Sequence, residues 1–154
     1  MTVARRAGLW YDGRERLRQE AFGMYTREQI IDMALQLPGS AADAPFEGDD
    51  YSTVLRHGDT GKWFGLVFRA PRDRVGLAGP GQAVILNLKC DPMLSYALRQ
   101  EYPDILPAYH MNKQLWISVR LEGSLPRETL EMLMRMSFDL TDKRGTGRKP
   151  RGGA

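Results

Sequence analysis

The sequence predicts an α+β fold, a two-layer sandwich in which an antiparallel sheet carries its helices on one face. The elements read in the order helix, strand, strand, strand, helix, strand, helix. Two of the strands are joined by the short turn His57-Gly-Asp-Thr-Gly61, as in a hairpin. The last strand alternates strictly, with Leu115, Ile117, Val119 and Leu121 on one face and Trp116, Ser118 and Arg120 on the other. Such alternation marks a strand with one face in a core. Antiparallel neighbours with helices banked on one side bury those faces.

Each element has its own local signals. Thr26 is an N-cap, and Gln29 stands where a reciprocal capping box needs it. Ile30, Ile31, Ala34, Leu35 and Leu37 then form an apolar stripe at helical spacing, stopped by Pro38-Gly39. Residues 39–51 read as loop. Strands follow over Tyr51–Arg56 and Lys62–Arg69, and His57 between them reads as an exposed turn residue. A Gly/Pro/Arg loop, Pro71–Gly81, leads to a third strand, Gln82–Lys89. Asp91-Pro92 supplies an N-cap and a first-turn proline for a helix from Met93 to Tyr102. The alternating strand, Leu115–Leu121, comes next. Ser124–Leu140 is the final helix, with Leu130, Leu133, Met134 and Phe138 inward.

The totals bound the function. The chain has 154 residues, enough for one domain with a substantial core. It contains no apolar run of membrane-spanning length, and its first residues turn polar too soon for a secretion signal. One cysteine, Cys90, excludes an internal disulfide and a multi-cysteine zinc site. These features point to a reducing, cytoplasmic setting, with no membrane partner. The net charge of +3 resides at the ends. Residues 24–141 hold 12 Lys/Arg against 15 Asp/Glu, so the folded part is mildly acidic. The sequence therefore divides into a basic, loosely docked extension (1–25, with a short helix possible over Arg14–Phe22), a domain (26–141) and a basic disordered tail (142–154).

Strand parity assigns the faces. Phe64, Leu66 and Phe68 join Val84, Leu86, Leu88, Ile117 and Val119 against the helices. Trp63, Gly65 and Val67 join Ile85, Asn87 and Lys89, and Trp116, Ser118 and Arg120, on a far face whose middle is expected to be partly open. The segment Pro107-Ala-Tyr-His-Met-Asn-Lys113 and the strand leaving it concentrate polar and aromatic groups beside that face. His110 with Lys113 contacts a phosphate, or His110 and Asn112 hydrogen-bond the loop's own backbone and fix it over the sheet. Catalysis by His110 lacks a nearby carboxylate partner. Trp63 and Trp116 form either a stacking platform or a patch covered by the extension or the Gly/Pro loop. Cys90, at a helix start, reads as a small buried hydrophobe. The acids Asp43, Glu47, Asp49 and Asp50 match no calcium loop and read as a solvated segment.

From about Thr26 to Leu140 the chain resembles the YjbR/MmcQ family. The residues that carry the likeness are Gly61-Lys-Trp-Phe, Asn87-Leu-Lys-Cys-Asp-Pro92, Pro107 to Lys113 with Trp116-Ile-Ser-Val119, and Ser137-Phe-Asp-Leu140. The resemblance implies a sandwich similar to frataxin and CyaY, in keeping with the element order. For function it implies a DNA-binding label and no defined reaction.

The leading expectation is a non-catalytic, monomeric nucleic-acid-binding module without a cofactor or bound metal. Its candidate contacts are Lys62, Trp63, Lys89, Tyr109, His110, Asn112, Lys113, Trp116, Ser118 and Arg120. The basic tail would add phosphate contacts that do not depend on sequence. The alternative is a domain that binds a small molecule or a protein through the same helix-free face. Metal handling by analogy with frataxin would rest on fold alone, and fold does not fix function.

Overall fold

A computed structural model describes residues 24–123 and 125–142 in full, and the backbone of residues 3–6 and 9–12. The expected two-layer α+β architecture is present. Strands β1 (Val3–Arg6) and β2 (Leu9–Asp12) pair as a separate two-stranded antiparallel sheet. The helix considered over residues 14–22 and the basic tail beyond residue 142 lie outside the described residues.

The main sheet contains β3 (Ser40–Asp43), β4 (Thr53–His57), β5 (Trp63–Pro71), β6 (Gln82–Lys89), β7 (Ile105–Pro107) and β8 (Trp116–Arg120). They lie in the order β3-β4-β5-β6-β8-β7, and every pairing is antiparallel. Helices α1 (Arg27–Leu35), α2 (Pro92–Glu101) and α3 (Arg127–Thr141) bank on one face. Met24 and Tyr25 belong with this body rather than with the extension. Met24 bridges to Glu122, and buried Tyr25 donates its backbone N–H to the Leu121 carbonyl at 2.9 Å.

Local chemistry explains the helix starts. Thr26 Oγ1 accepts from Gln29 N at 3.1 Å while Gln29 Oε1 accepts from Thr26 N at 2.9 Å, closing the capping box. Such a cap contributes about 1 kcal/mol. Asp91 caps α2 by accepting from Met93 N and Leu94 N, with Pro92 in the first turn. The last helix begins at Arg127, after Pro126, rather than at Ser124. A proline fixed near the helical φ suits an entry that gives up no hydrogen bond.

Within the main sheet, the two edge strands are the elements the sequence conceals. β3 is Ser-Ala-Ala-Asp and β7 is Ile-Leu-Pro, too short and too poor in β-branched residues to stand out from loop. Short edges ending in a charge or a proline are also what keeps a sheet from pairing with its neighbours. Asp43 uses that position to hold Arg56 of β4 at 2.8 Å.

One irregularity reverses an expectation about the faces. Leu55 and Arg56 are consecutive on β4, yet their partners on β5 are Gly65 and Trp63. Phe64 is therefore an extra residue, a β-bulge, and parity changes beyond it. Phe64 and Val67 enter the helix-side core, while Leu66 and Phe68 turn to the helix-free face. Gly65 lies beneath Leu55, where a Cβ would come within 2.8 Å of Leu55 Cδ1. Ser137 of α3 repairs the broken ladder. Its hydroxyl donates to the Phe64 carbonyl and accepts from Lys89 N at 2.9 Å.

The helix-free face consequently has a second core and is closed in its middle, contrary to the sequence expectation. Phe68, Ala70, Val75, Ala83 and Ile85 are buried there, with Leu66, Leu77, Leu106 and Tyr109 packed over them. The cover comes from a 3₁₀ turn (Arg72–Val75) and the segment after β7. His57 is a further correction: it ends β4, is 4 % exposed and stacks on Phe138 at 4.1 Å. Its Nε2 lies 2.8 Å from Thr141 Oγ1, which itself donates to the Ser137 carbonyl, so the imidazole is the donor in this pair.

Candidate functional site

The loop that concentrates polar groups is first of all bolted to the sheet. Asn87 of β6 and Ser118 of β8 are register partners, both fully buried on the helix-free face. Ser118 Oγ donates to Asn87 Oδ1 and accepts from Tyr109 N at 2.8 Å, while Asn87 Nδ2 donates to the Tyr109 carbonyl at 3.0 Å. The pair grips one residue of the loop by both backbone groups. The Tyr109 ring is thereby laid parallel to Phe68, 6.1 Å between centroids and 10° apart. Farther along, Asn112 Oδ1 accepts from Gln114 N at 2.8 Å and Leu115 N at 3.1 Å, folding the chain back into β8. His110 between them has φ 67°, the left-handed region, and is exposed.

Three residues expected to meet a ligand are thus occupied. Ser118 is out of reach beneath Tyr109, and the carboxamide oxygen of Asn112 is spent on the turn. Arg120 is a clamp. Its Nε donates to Asp104 at 3.0 Å, one terminal nitrogen to the Val75 carbonyl at 2.8 Å, and the other to the Pro103 carbonyl at 2.7 Å. Both partners of the ion pair are largely buried, and Asp104 lies over Gly123 so closely that a Cβ there would collide with the carboxylate. Arg120 ties the 3₁₀ turn to the entrance of β7.

The remaining expected residues fall at the two ends of the face. At one end β5 starts, β6 finishes and β8 starts, which places Trp63, Lys89 and Trp116 together on three neighbouring strands. Trp116 and Lys89 are register partners, with the ammonium 5.7 Å from the indole centroid. Trp63 meets the edge of Phe46 at 5.9 Å, and exposed Lys62 precedes it. Both indoles are half-buried rather than covered. Phe46 lies in the acidic loop after β3, where no alternation or helical spacing marks it for this face.

At the other end the 3₁₀ turn and the segment after β7 face each other across an open cleft of about 300 Å³. Lys113 belongs here, its Nζ donating to the Ala108 carbonyl at 2.6 Å, and so does Arg74. Nothing in the sequence distinguished Arg74 from the other arginines of its loop.

Cys90 is buried, and burial first, then the charge of Asp91, pushes its thiol up to about 11, so it is a poor nucleophile at neutral pH. Asp49 is held below the usual carboxylate range by the hydroxyl and backbone N–H of Ser52. Among the described residues no three His, Cys, Asp or Glu side chains are grouped to hold a metal ion, and no helix is long and apolar enough to cross a membrane.

Comparisons with known proteins agree with this architecture. The uncharacterised protein YyaQ of Bacillus subtilis is 41 % identical over 118 residues, covering 77 % of this chain and 99 % of that one. Escherichia coli YjbR is 40 % identical over 53 residues, 34 % of this chain and 45 % of that protein. A crystal structure from Pseudomonas syringae, 37 % identical, superposes with a TM-score of 0.71 over 77 % of this chain and all of that one. One from Deinococcus radiodurans, 28 % identical, gives 0.62 over 86 % and 90 %. The YjbR family profile matches residues 35–140, which include the bulge, the pinned loop and the serine of α3 that closes the ladder, and the chain belongs to the YjbR family.

Proposed function

We propose that this protein is a non-catalytic nucleic-acid-binding module that takes unpaired bases on the open end of its helix-free face. The observation that carries this reading is Lys89 set between two half-buried indoles, Trp63 and Trp116, on three adjacent strands. Aromatic rings stack on every base, and interleaved cations follow the backbone. A single strand fits better than a duplex. Residues 24–141 carry 12 Lys/Arg against 15 Asp/Glu, which leaves little attraction for a dense row of phosphates. The cations beyond residue 142 supply that attraction instead. The finer likeness to MmcQ proteins and to frataxin adds no metal chemistry to this reading, and a buried, weakly acidic Cys90 suits a reducing cytoplasm.

The test is fluorescence anisotropy with a short labelled oligothymidylate and the full chain. Trp116→Ala and Trp63→Ala should each weaken binding about tenfold, given roughly 1–3 kcal/mol per stacked base. Deleting residues 143–154 should flatten the salt dependence of binding without abolishing it. Binding that survives both tryptophan changes unaltered would remove this face from the account.

A further inference from the structure

The opposite end of the helix-free face carries a second, independent inference. The cleft between the 3₁₀ turn and the segment after β7 has an apolar floor of Val75, Leu106, Pro107 and the Tyr109 ring, with Arg74 and Lys113 lining it as well. Among the described residues no carboxylate lines it. The arginines nearby are otherwise committed. Arg72 is paired with Glu122 at 2.7 Å and Arg120 with Asp104 at 3.0 Å. Arg74 makes neither a hydrogen bond nor an ion pair with any described residue, and it is exposed. Lys113 has one of its three ammonium protons fixed on the Ala108 carbonyl, which holds the charge at the cleft wall and leaves two donors.

Two cations over an apolar floor, with no acid among the described lining residues, select for one kind of occupant. We propose that this cleft binds a small molecule with an apolar body and a single anionic head, a carboxylate or a phosphate monoester. At about 300 Å³ the cleft is at the lower end of ligand-pocket sizes, so the body is a short chain or one ring. Lys113 and Arg74 take the head group, and Leu106, Pro107 and Tyr109 take the body. The floor is rigid, because Tyr109 is held by both backbone groups on Asn87 and Ser118. The site shares no residue with the Trp63–Lys89–Trp116 end and does not depend on nucleic-acid binding there.

The experiment is a titration of the isotope-labelled full chain, followed by amide chemical shifts, with hexanoate, phenyl phosphate and the neutral hexanamide. Hexanoate or phenyl phosphate should give saturable shifts confined to residues 75–77 and 106–113, with Kd on the order of millimolar for ligands this small. Which of the two saturates first identifies the head group. Hexanamide should bind at least about fivefold more weakly. Arg74→Met disturbs no contact in the fold and should weaken the anion about fivefold or more, as should Lys113→Met, while Trp116→Ala leaves it unchanged. The inference is overturned if neither anion saturates, if hexanamide binds as well as hexanoate, or if Arg74→Met has no effect.

Discussion

Arg120 and Lys89 stand on the same face of the same sheet, on neighbouring strands, and their environments are opposite. Arg120 gives its donors to Asp104 and to the carbonyls of Val75 and Pro103, so its charge is part of the fold. Lys89 lies over the ring of Trp116, and no hydrogen bond joins its ammonium to a described residue. The difference follows from what covers each end. Around Arg120 the 3₁₀ turn and the entrance to β7 close over the strands and need a polar tie. Around Lys89 no described segment closes over them, and the cation remains available. A basic residue on an exposed-looking strand face is thus informative only once its partners are known.

The most severe way to break that contrast is to remove the clamp. Arg120→Ala removes the guanidinium that faces Asp104 and donates to two loop carbonyls in a largely buried place, and losing one member of a buried pair costs about 3–5 kcal/mol. Chemical denaturation should show a loss on the order of 3 kcal/mol. Lys89→Ala should cost about 1 kcal/mol or less by the same assay, as a half-buried cation–π contact without a hydrogen bond does. Equal losses would mean that Lys89 is as structural as Arg120.

Trp116→Ala sharpens the same comparison by separating affinity from stability. It should lower oligothymidylate affinity about tenfold, within the roughly 1–3 kcal/mol expected for one stacked base, with only a small change in melting temperature. A large fall in melting temperature with unchanged affinity would place Trp116 with Arg120, among the residues that hold the fold.

Much of this architecture was legible in the sequence, and the failures have identifiable causes. The capping box of α1, the Asp91 cap of α2, the inward stripe of α3 and the four longer strands follow from local chemistry, whereas in α1 Leu35, read as part of the stripe, is exposed and Met33 is buried instead. The faces of β5 did not follow locally, because the bulge depends on a partner strand and a serine 73 residues away, and only Gly65 hints at it. His57 before Gly58 reads as a turn, but its ring is taken up by Phe138 and Thr141 from the far end of the chain. The central loop misled in a different manner. Asn87, Ser118 and Asn112 are the residue types of a reaction site, yet here Asn87 and Ser118 satisfy the backbone of Tyr109 over the sheet and Asn112 folds the turn into β8.

Cys90 tests whether the end of the sheet beside Lys89 is tight beneath its open surface. The thiol's pKa is raised in the folded protein from 9.0 to about 11, so the folded state keeps its proton where the unfolded state has lost it. The unfolded chain then binds fewer protons, and stability falls as pH rises through that window. The contribution is fully present below pH 9 and should decline by on the order of 1–2 kcal/mol toward pH 11. Denaturation curves of Cys90→Ala and the parent, taken across this range, should converge as pH rises. Curves that remain parallel would show that water reaches the thiol.

His110 provides the gentlest test, because it lies between the pinned loop and the cleft and its backbone is strained while its ring is exposed. A φ of 67° costs an L-residue roughly 1–2 kcal/mol relative to the right-handed region, a penalty glycine does not incur. Glycine in turn loses more chain entropy on folding, by roughly 0.5–1 kcal/mol. His110→Gly should therefore be neutral or stabilising by up to about 1 kcal/mol, whereas His110→Val, β-branched at a left-handed position, should destabilise. If the loop serves only to lay Tyr109 on Phe68, the glycine variant will bind both oligothymidylate and hexanoate as the parent does. A loss of affinity for either, in a variant that is no less stable, would assign the imidazole to that site and extend it along the loop.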